Sequence, residues 1–336
     1  TTEIYTLSLH DALPIFFMFR PIDKRVPWGL VRGRIEPVFR EALAAMGPTI
    51  TEALFLAEMQ PWETTDRRPD ARILKILGKT GDVDSETTAI LLEYGIDERD
   101  FSPEVSACLP KVPWQIPEEE LRTRRDFRSA RIFTCDPLTA RDLDDALSCW
   151  PLPDGTFEVG VHIADVAHFV RPGTALDTEA QMRSTSVYLV QKVIPMLPRV
   201  LCEDLCSLNP GADRFAFSCI WRMTADGEIL SEWFGRSMMR SCCKLNYGLV
   251  QAALDGLVGD GQHGWSGAPA DVVPPCAAVL APHTTPEVVT DIRNMARIAR
   301  KLRAQRVADG SISIGSLKLY IALDEAGKPV DAVPYV

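Results

Sequence analysis

Two stretches of strict alternation constrain the fold of this chain more than any other feature. Phe157, Val159, Val161 and Ile163 alternate with Glu158, Gly160, His162 and Ala164, and the apolar run Ala146 to Trp150 precedes them across Pro153-Asp154-Gly155. Proline presets one turn dihedral, aspartate bonds its own backbone and glycine accepts a left-handed conformation, so the pair reads as a β-hairpin. Phe215, Phe217, Cys219, Trp221 and Met223 repeat the pattern up to Ala225-Asp226-Gly227, and Ile229 to Phe234 come next. A period of two puts alternate side chains on opposite faces of a strand, so the centre of the chain is antiparallel sheet. Ile132 to Cys135 reads as a further short strand, broken by Asp136-Pro137. Two helices complete this part: Tyr247 to Leu254, and Pro286 to Val307 with Ile292, Met295, Ala299 and Leu302 on one face. The fold class is α+β.

A chain of 336 residues with 46% hydrophobic content supports two globular units. Residues 16 to 96 hold short β-prone pieces, Leu30 to Ile35, Ala53 to Glu58 and Ala71 to Leu77, cut by prolines, which predicts a small barrel. A helix is expected over Ser85 to Tyr94, with Ser85 as cap and Gly95 closing it. Residues 97 to 126, charged and proline-dotted, read as a linker, and residues 127 to 336 as the second domain. Residues 1 to 15 show no patterning link to the rest of the chain and read as an adapter-derived, non-native segment outside the fold. The apolar run Leu13 to Phe19 is too short to span a bilayer and lacks a basic flank, so no membrane partner is expected. Nine cysteines without a CxxC pair argue against a disulfide framework or a zinc cluster and for a reducing compartment. A formal charge of −10 excludes coating nucleic acid through bulk positive charge; any such contact must be local.

The segment Asp136-Pro-Leu-Thr-Ala-Arg-Asp142-Leu-Asp144-Asp145 brings four carboxylates together with only Arg141 to offset them. An acidic run is by default a solvated loop, but Leu143, Ala146 and Leu147 require this one to pack against a core. Partly buried carboxylates repel unless neutralised, and all-oxygen ligands favour Mg²⁺, Mn²⁺ or Ca²⁺ over zinc. The spacing does not fit the helical calcium-sensor loop. Paired divalent ions would activate a water and stabilise the leaving oxygen of a phosphodiester. His162, Asp165 and His168 are spaced three apart, which on a strand points them to opposite faces, so packing or supporting roles are expected instead of a shared ligand sphere.

The run IFTCDPLTARDLDDALSCWPLPDGTFEVGVHIADVAHFV resembles the opening of the catalytic RNB domain of the ribonuclease II family, and TSVYLVQKVIPMLPRVLCEDLCSLNP and KLNYGLVQAAL match it in order. The resemblance implies a cold-shock/OB-type barrel followed by the N-terminal part of a mixed α/β RNB catalytic domain. It implies that Asp136 and Asp145 bind Mg²⁺, with Mn²⁺ as a substitute, that Asp142 supports the same metal site, and that Asp144 is the carboxylate most critical for catalysis. Tyr247 would stack on a base near the 3′ end of single-stranded RNA, and Tyr188 would contact the strand further towards its 5′ side. Pattern alone reads both tyrosines as half-buried core aromatics.

The implied activity is a 3′→5′ exoribonuclease that releases nucleoside 5′-monophosphates, active in RNA decay in the cytoplasm as a monomer, with no DNA partner. The resemblance also implies uridine-tailed RNA as the substrate class; no residue here by itself shows a uridine preference. The rival readings are an RNA-binding fragment with impaired catalysis and a metal phosphoesterase for small substrates. The family's domain continues beyond Val336, so the isolated fragment is expected to be weak or inactive. The basic face of Arg293 to Arg306 is a secondary RNA-contact candidate, and the barrel offers Phe39, Phe55 and Trp62 as aromatic contacts.

Overall fold

Alternation and turn chemistry produce sheets in both halves of the chain. The computed structural model describes residues 2–8, 16–32, 41, 44, 47–63, 65, 67–258, 261, 264–274, 277–315, 319–325 and 328–334. It divides into one unit of Thr1–Asp100 with Ile321–Asp331 and a second of Phe101–Tyr320 with Ala332–Val336.

In the first unit, β1 (Thr2–Ser8), β2 (Phe16–Pro21), β3 (Gly29–Arg32), β4 (Ala53–Met59) and β5 (Ala71–Lys79) form a five-stranded sheet in the order β3-β2-β1-β4-β5. Neighbours are antiparallel, and a bridge from Leu30 to Asp70 curls β3 towards β5. Thr2–Ser8, excluded from the fold on its sequence, is thus the middle strand, because its backbone supplies ladder partners to both β2 and β4. Phe17, Phe19, Val31, Ile50, Phe55 and Ile73 fill the core, with Phe19 edge-on to Phe55 at 6.2 Å. Phe55 is therefore unavailable to RNA, Trp62 is exposed, and Ile35 and Phe39 lie outside the described residues.

Helix α1 (Val83–Glu93) starts earlier than expected, since Asp82 caps it by accepting from Ser85 N–H at 3.0 Å. Ser85 is instead buried beneath Gly78, where a Cβ would sit 2.0 Å from Ser85 Oγ. Glycine at this left-handed position lets helix and strand touch.

In the second unit, the stretch 97–126 is folded where a linker was expected. It forms α2 (Pro103–Ala107), capped by Ser102, then α3 (Glu118–Thr123), and it enters β6 (Arg125–Phe127). Burial of Val105, Arg124 and Phe127 fixes it. With β7 (Phe133–Asp136), β8 (Asp145–Pro151), β9 (Phe157–Ala164), β12 (Asp213–Met223), β13 (Ile229–Arg240) and β14 (Cys243–Asn246), β6 builds a seven-stranded sheet ordered β14-β7-β8-β9-β12-β13-β6. The outer pairs β6/β13 and β7/β14 are parallel, and the inner ladders are antiparallel, as the hairpin turns require.

Helix α4 (Ala175–Arg183) leads to a small ribbon of β10 (Val187–Tyr188) and β11 (Val193–Ile194), followed by a π-helical turn at Val200–Leu205. Helices α5 (Tyr247–Leu254) and α6 (Thr285–Ala308) close the β7/β14 side: Leu249, Val288 and Ile292 pack with Phe133 and Leu245. Arg131 and Asp291 form an ion pair, the carboxylate fully buried, that ties α6 to the start of β7. Among the described residues no helix is long and apolar enough to cross a membrane.

Candidate functional site

Asp136 ends β7 and stands opposite Asn246 on β14, while Asp145 opens β8 opposite Ile163. The loop between them is clamped on its backbone. Lys244 Nζ donates to Ala140 O, and Ser207 Oγ donates to Arg141 O at 2.9 Å and accepts from Leu143 N–H at 3.1 Å. Leu208 N–H reaches Leu143 O, and Ala164 N–H reaches Asp144 O, each at 2.9 Å. Leu143, 0% exposed, pins the loop into the core beside Leu201 and Leu208, which is what its apolar residues required.

Packing sets the electrostatics. Asp136 is 8% exposed, and burial, then the Asp145 charge, push its carboxyl up to about 6 against the pull of Thr134 and Lys244. Its Oδ2 is buried without a hydrogen-bond partner. Asp144 keeps solvent access, yet it too is raised, first by desolvation and then by Asp142 and Asp145. Asp142 accepts a 2.6 Å hydrogen bond from Tyr188 Oη, which, with desolvation, lifts the phenol to about 12 and keeps it a neutral donor. Asp136, Asp142, Arg141, Tyr188, Arg199 and Cys202 line a cavity of ≈ 450 Å³.

An unpartnered buried carboxylate oxygen and an all-oxygen donor set suit a hard divalent cation. The four acids lie on one loop and the two strand ends that flank it, but among the described residues no three His, Cys, Asp or Glu side chains are gathered to hold an ion. Asp142 is engaged by Tyr188.

Tyr188 lies within the site, 63% exposed on the ribbon, so it is no core aromatic. Tyr247, 53% exposed, opens α5 directly after Asn246, the ladder partner of Asp136. The His162, Asp165, His168 set does not converge. His162 sits between Ser148 Oγ at 3.0 Å and Ser218 Oγ at 2.7 Å, Asp165 pairs with Arg124 at 2.7 Å, and His168 lies 3.5 Å from Glu120. On the basic helix, Arg293 donates to Ala253 O, Arg297 lies over the Phe157 ring and Lys301 pairs with Asp226, so packing uses much of that face.

Sequence reasoning missed three supporting residues. Ser207 and Lys244 clamp the acidic loop from far along the chain, and no local pattern announces them. Arg124, buried between Glu120 at 2.6 Å and Asp165, lay in the presumed linker; its place four residues after a glutamate was its only signal.

The RNB domain profile matches residues 124–335, and the chain belongs to the RNB family. Residues 16–95 match the Dis3-like cold-shock domain 2, so the architecture is a cold-shock barrel followed by the mixed α/β RNB fold. The chain is 47% identical to DIS3-like exonuclease 2 of Xenopus tropicalis, over 93% of its own length and 36% of that protein. It is 39% identical, over 97% of its length and 30% of the relative, to an Arabidopsis thaliana protein named inactive exonuclease DIS3L2. The chain thus spans about a third of the length of these relatives. The structure of Mycoplasma genitalium RNase R in complex with ribose-methylated single-stranded RNA superposes with a TM-score of 0.76 at 21% identity, over 100% of this chain and 47% of that one, a likeness of fold.

Proposed function

We propose that this chain carries the catalytic centre of a divalent-cation-dependent 3′→5′ exoribonuclease that shortens single-stranded RNA and releases nucleoside 5′-monophosphates. The observation that carries the reading is the intact set Asp136, Asp142, Asp144 and Asp145 at a backbone-clamped loop, with a buried, unpartnered oxygen on Asp136, itself a residue of the cavity wall. Asp136, Asp142 and Asp145 would hold the cation, Mg²⁺ with Mn²⁺ as substitute, and Asp144 acts at the reacting phosphate. The bound cation supplies charge to the phosphodiester and acidity to a water. Tyr247 and Tyr188 offer faces on which bases of any sequence stack. The cold-shock barrel guides the strand, and the RNB fold forms the catalytic domain. Uridine-tailed RNA, cytoplasmic RNA decay and a monomeric state complete the reading.

A second reading, RNA binding without turnover, is favoured by the absence of three gathered acids among the described residues and by the relative named inactive. One experiment separates the two. The chain and the complete gene product are incubated with 5′-labelled single-stranded RNA and Mg²⁺, alongside Asp144→Asn. Stepwise 3′ shortening by the complete product, lost in the variant, is expected; retention of full-length RNA in a stable complex supports the clamp.

A further inference from the structure

The Tyr188 hydroxyl stands where it decides what Asp142 can do. Its hydrogen bond to Asp142 Oδ2, at 2.6 Å, is short and charge-assisted, the strong kind of O–H···O contact. The tyrosine is carried by a ribbon of two residue pairs, Val187 with Ile194 and Tyr188 with Val193, steadied by Leu189 N–H to Lys192 O and by Met196 N–H to Ser186 Oγ. So short a ribbon is marginal by itself and relies on its surroundings, Arg199 donating to Val193 O at 3.3 Å and Arg183 to Pro195 O at 3.4 Å. The ring is largely exposed and lines the same cavity as Asp136 and Asp142.

Resting on the exoribonuclease reading, we propose that Tyr188 is a positioning residue that holds Asp142 out of the cation-binding set until an RNA base takes the face of its ring, so that substrate and divalent cation bind cooperatively through one hydrogen bond. Three observations lead there. Among the described residues, no three acids gather, although four lie on one clamped loop and the strand ends that flank it. The loop backbone is fixed at Ala140, Arg141, Leu143 and Asp144, so what keeps the acids apart lies in the side chains. Of the four, Asp142 is the one held by a side chain from outside the loop on an exposed ribbon.

A base stacked on an aromatic ring and a hydrogen bond to a charged group are comparable in strength, so the exchange is within reach of a single nucleotide. Linkage then requires RNA to tighten cation binding by the same factor by which the cation tightens RNA.

Mn²⁺ binding to the full chain, measured by titration calorimetry or by loss of the free-ion electron resonance, tests this without any turnover. Tyr188→Phe keeps the stacking ring and removes the latch, and the exposed position tolerates it. Without RNA the variant is expected to bind Mn²⁺ about tenfold tighter than the parent, the worth of one such hydrogen bond. A short 2′-O-methyl oligonucleotide is expected to tighten Mn²⁺ on the parent by a larger factor than on the variant. Equal or weaker Mn²⁺ binding by Tyr188→Phe, with binding abolished by Asp136→Asn, overturns the latch while leaving the metal reading standing. An equal oligonucleotide effect on both chains overturns the coupling. No Mn²⁺ binding by any of the three overturns the latch and the metal-dependent reading together.

Discussion

Asp136 carries its charge where the protein opposes it, and this has a measurable consequence. Its carboxyl is held up at about 6, against an ordinary 3.8, chiefly by burial and next by Asp145. Well below pH 3.8 the group is protonated whether folded or unfolded, and no penalty exists. Above pH 6 the folded chain must bury the charge, so stability falls as pH rises through that window, by on the order of 2–3 kcal/mol. Asp136→Asn is therefore expected to raise the denaturation midpoint in EDTA at neutral pH and to leave it unchanged well below pH 3.8. Saturating Mg²⁺ should stabilise the parent and not the variant; a variant less stable than the parent in EDTA would show that Asp136 is a satisfied structural acid. The acidic set was legible in the sequence because its members are adjacent and interleaved with Leu143 and Ala146. Its clamps were not: Ser207 and Lys244 reach the loop from 64 and 104 residues away, a contact that only the folded chain makes.

At the scale of elements, the hairpins follow the alternation closely, since turn chemistry and period two both specify the pairing. What the pattern did not disclose is the polar seam inside them. Ser148, His162, Ser218 and Ser237 form a hydrogen-bonded chain across β8, β9, β12 and β13, all four buried. A one-residue slip of β9 would turn His162 to the other face and break the chain, so the seam fixes the register that sets Asp145 opposite Ile163.

Burial alone lowers His162 to about 4 from 6.5. Its neutral form contributes fully above pH 6.5, and the contribution is lost as pH falls towards 4 and the unfolded chain takes the proton. From pH 7 to 5 the parent is expected to lose about 2 kcal/mol more than His162→Gln, by denaturant titration. The same seam forbids a side chain at Gly160, where a Cβ would lie 2.4 Å from Ser148 Oγ and 2.8 Å from His162 Nε2. Gly160→Ala should cost about 1–3 kcal/mol, the range for overpacking a core, and full stability in that variant would mean the seam is loose. Residues 97–126 misled in the opposite sense: prolines and charges mimic a linker, while Val105 and Arg124 are buried by partners distant in sequence.

For the whole molecule, the relevant fact is that the two units have separate cores while the acidic loop belongs to one of them. Phe17, Phe19, Ile50 and Phe55 stabilise the first unit, and the loop is pinned by Leu143 among Ile132, Leu201 and Leu208 in the second. A ligand stabilises only the cooperative unit that binds it, by about 2.7 kcal/mol at a concentration one hundred times its dissociation constant. Amides that exchange through opening of that unit are then slowed about a hundredfold, and those elsewhere are untouched. Hydrogen exchange with and without Mg²⁺ is accordingly expected to show protection in peptides over 133–151, extending to 157–164 and 243–254, with peptides over 16–32 and 53–79 unchanged. With a net charge of −10, diffuse cation condensation is the competing cause of protection, and it would act on both units alike. Equal protection of both units, or protection that Asp136→Asn and Asp145→Asn leave intact, would remove the acidic loop as the cation site.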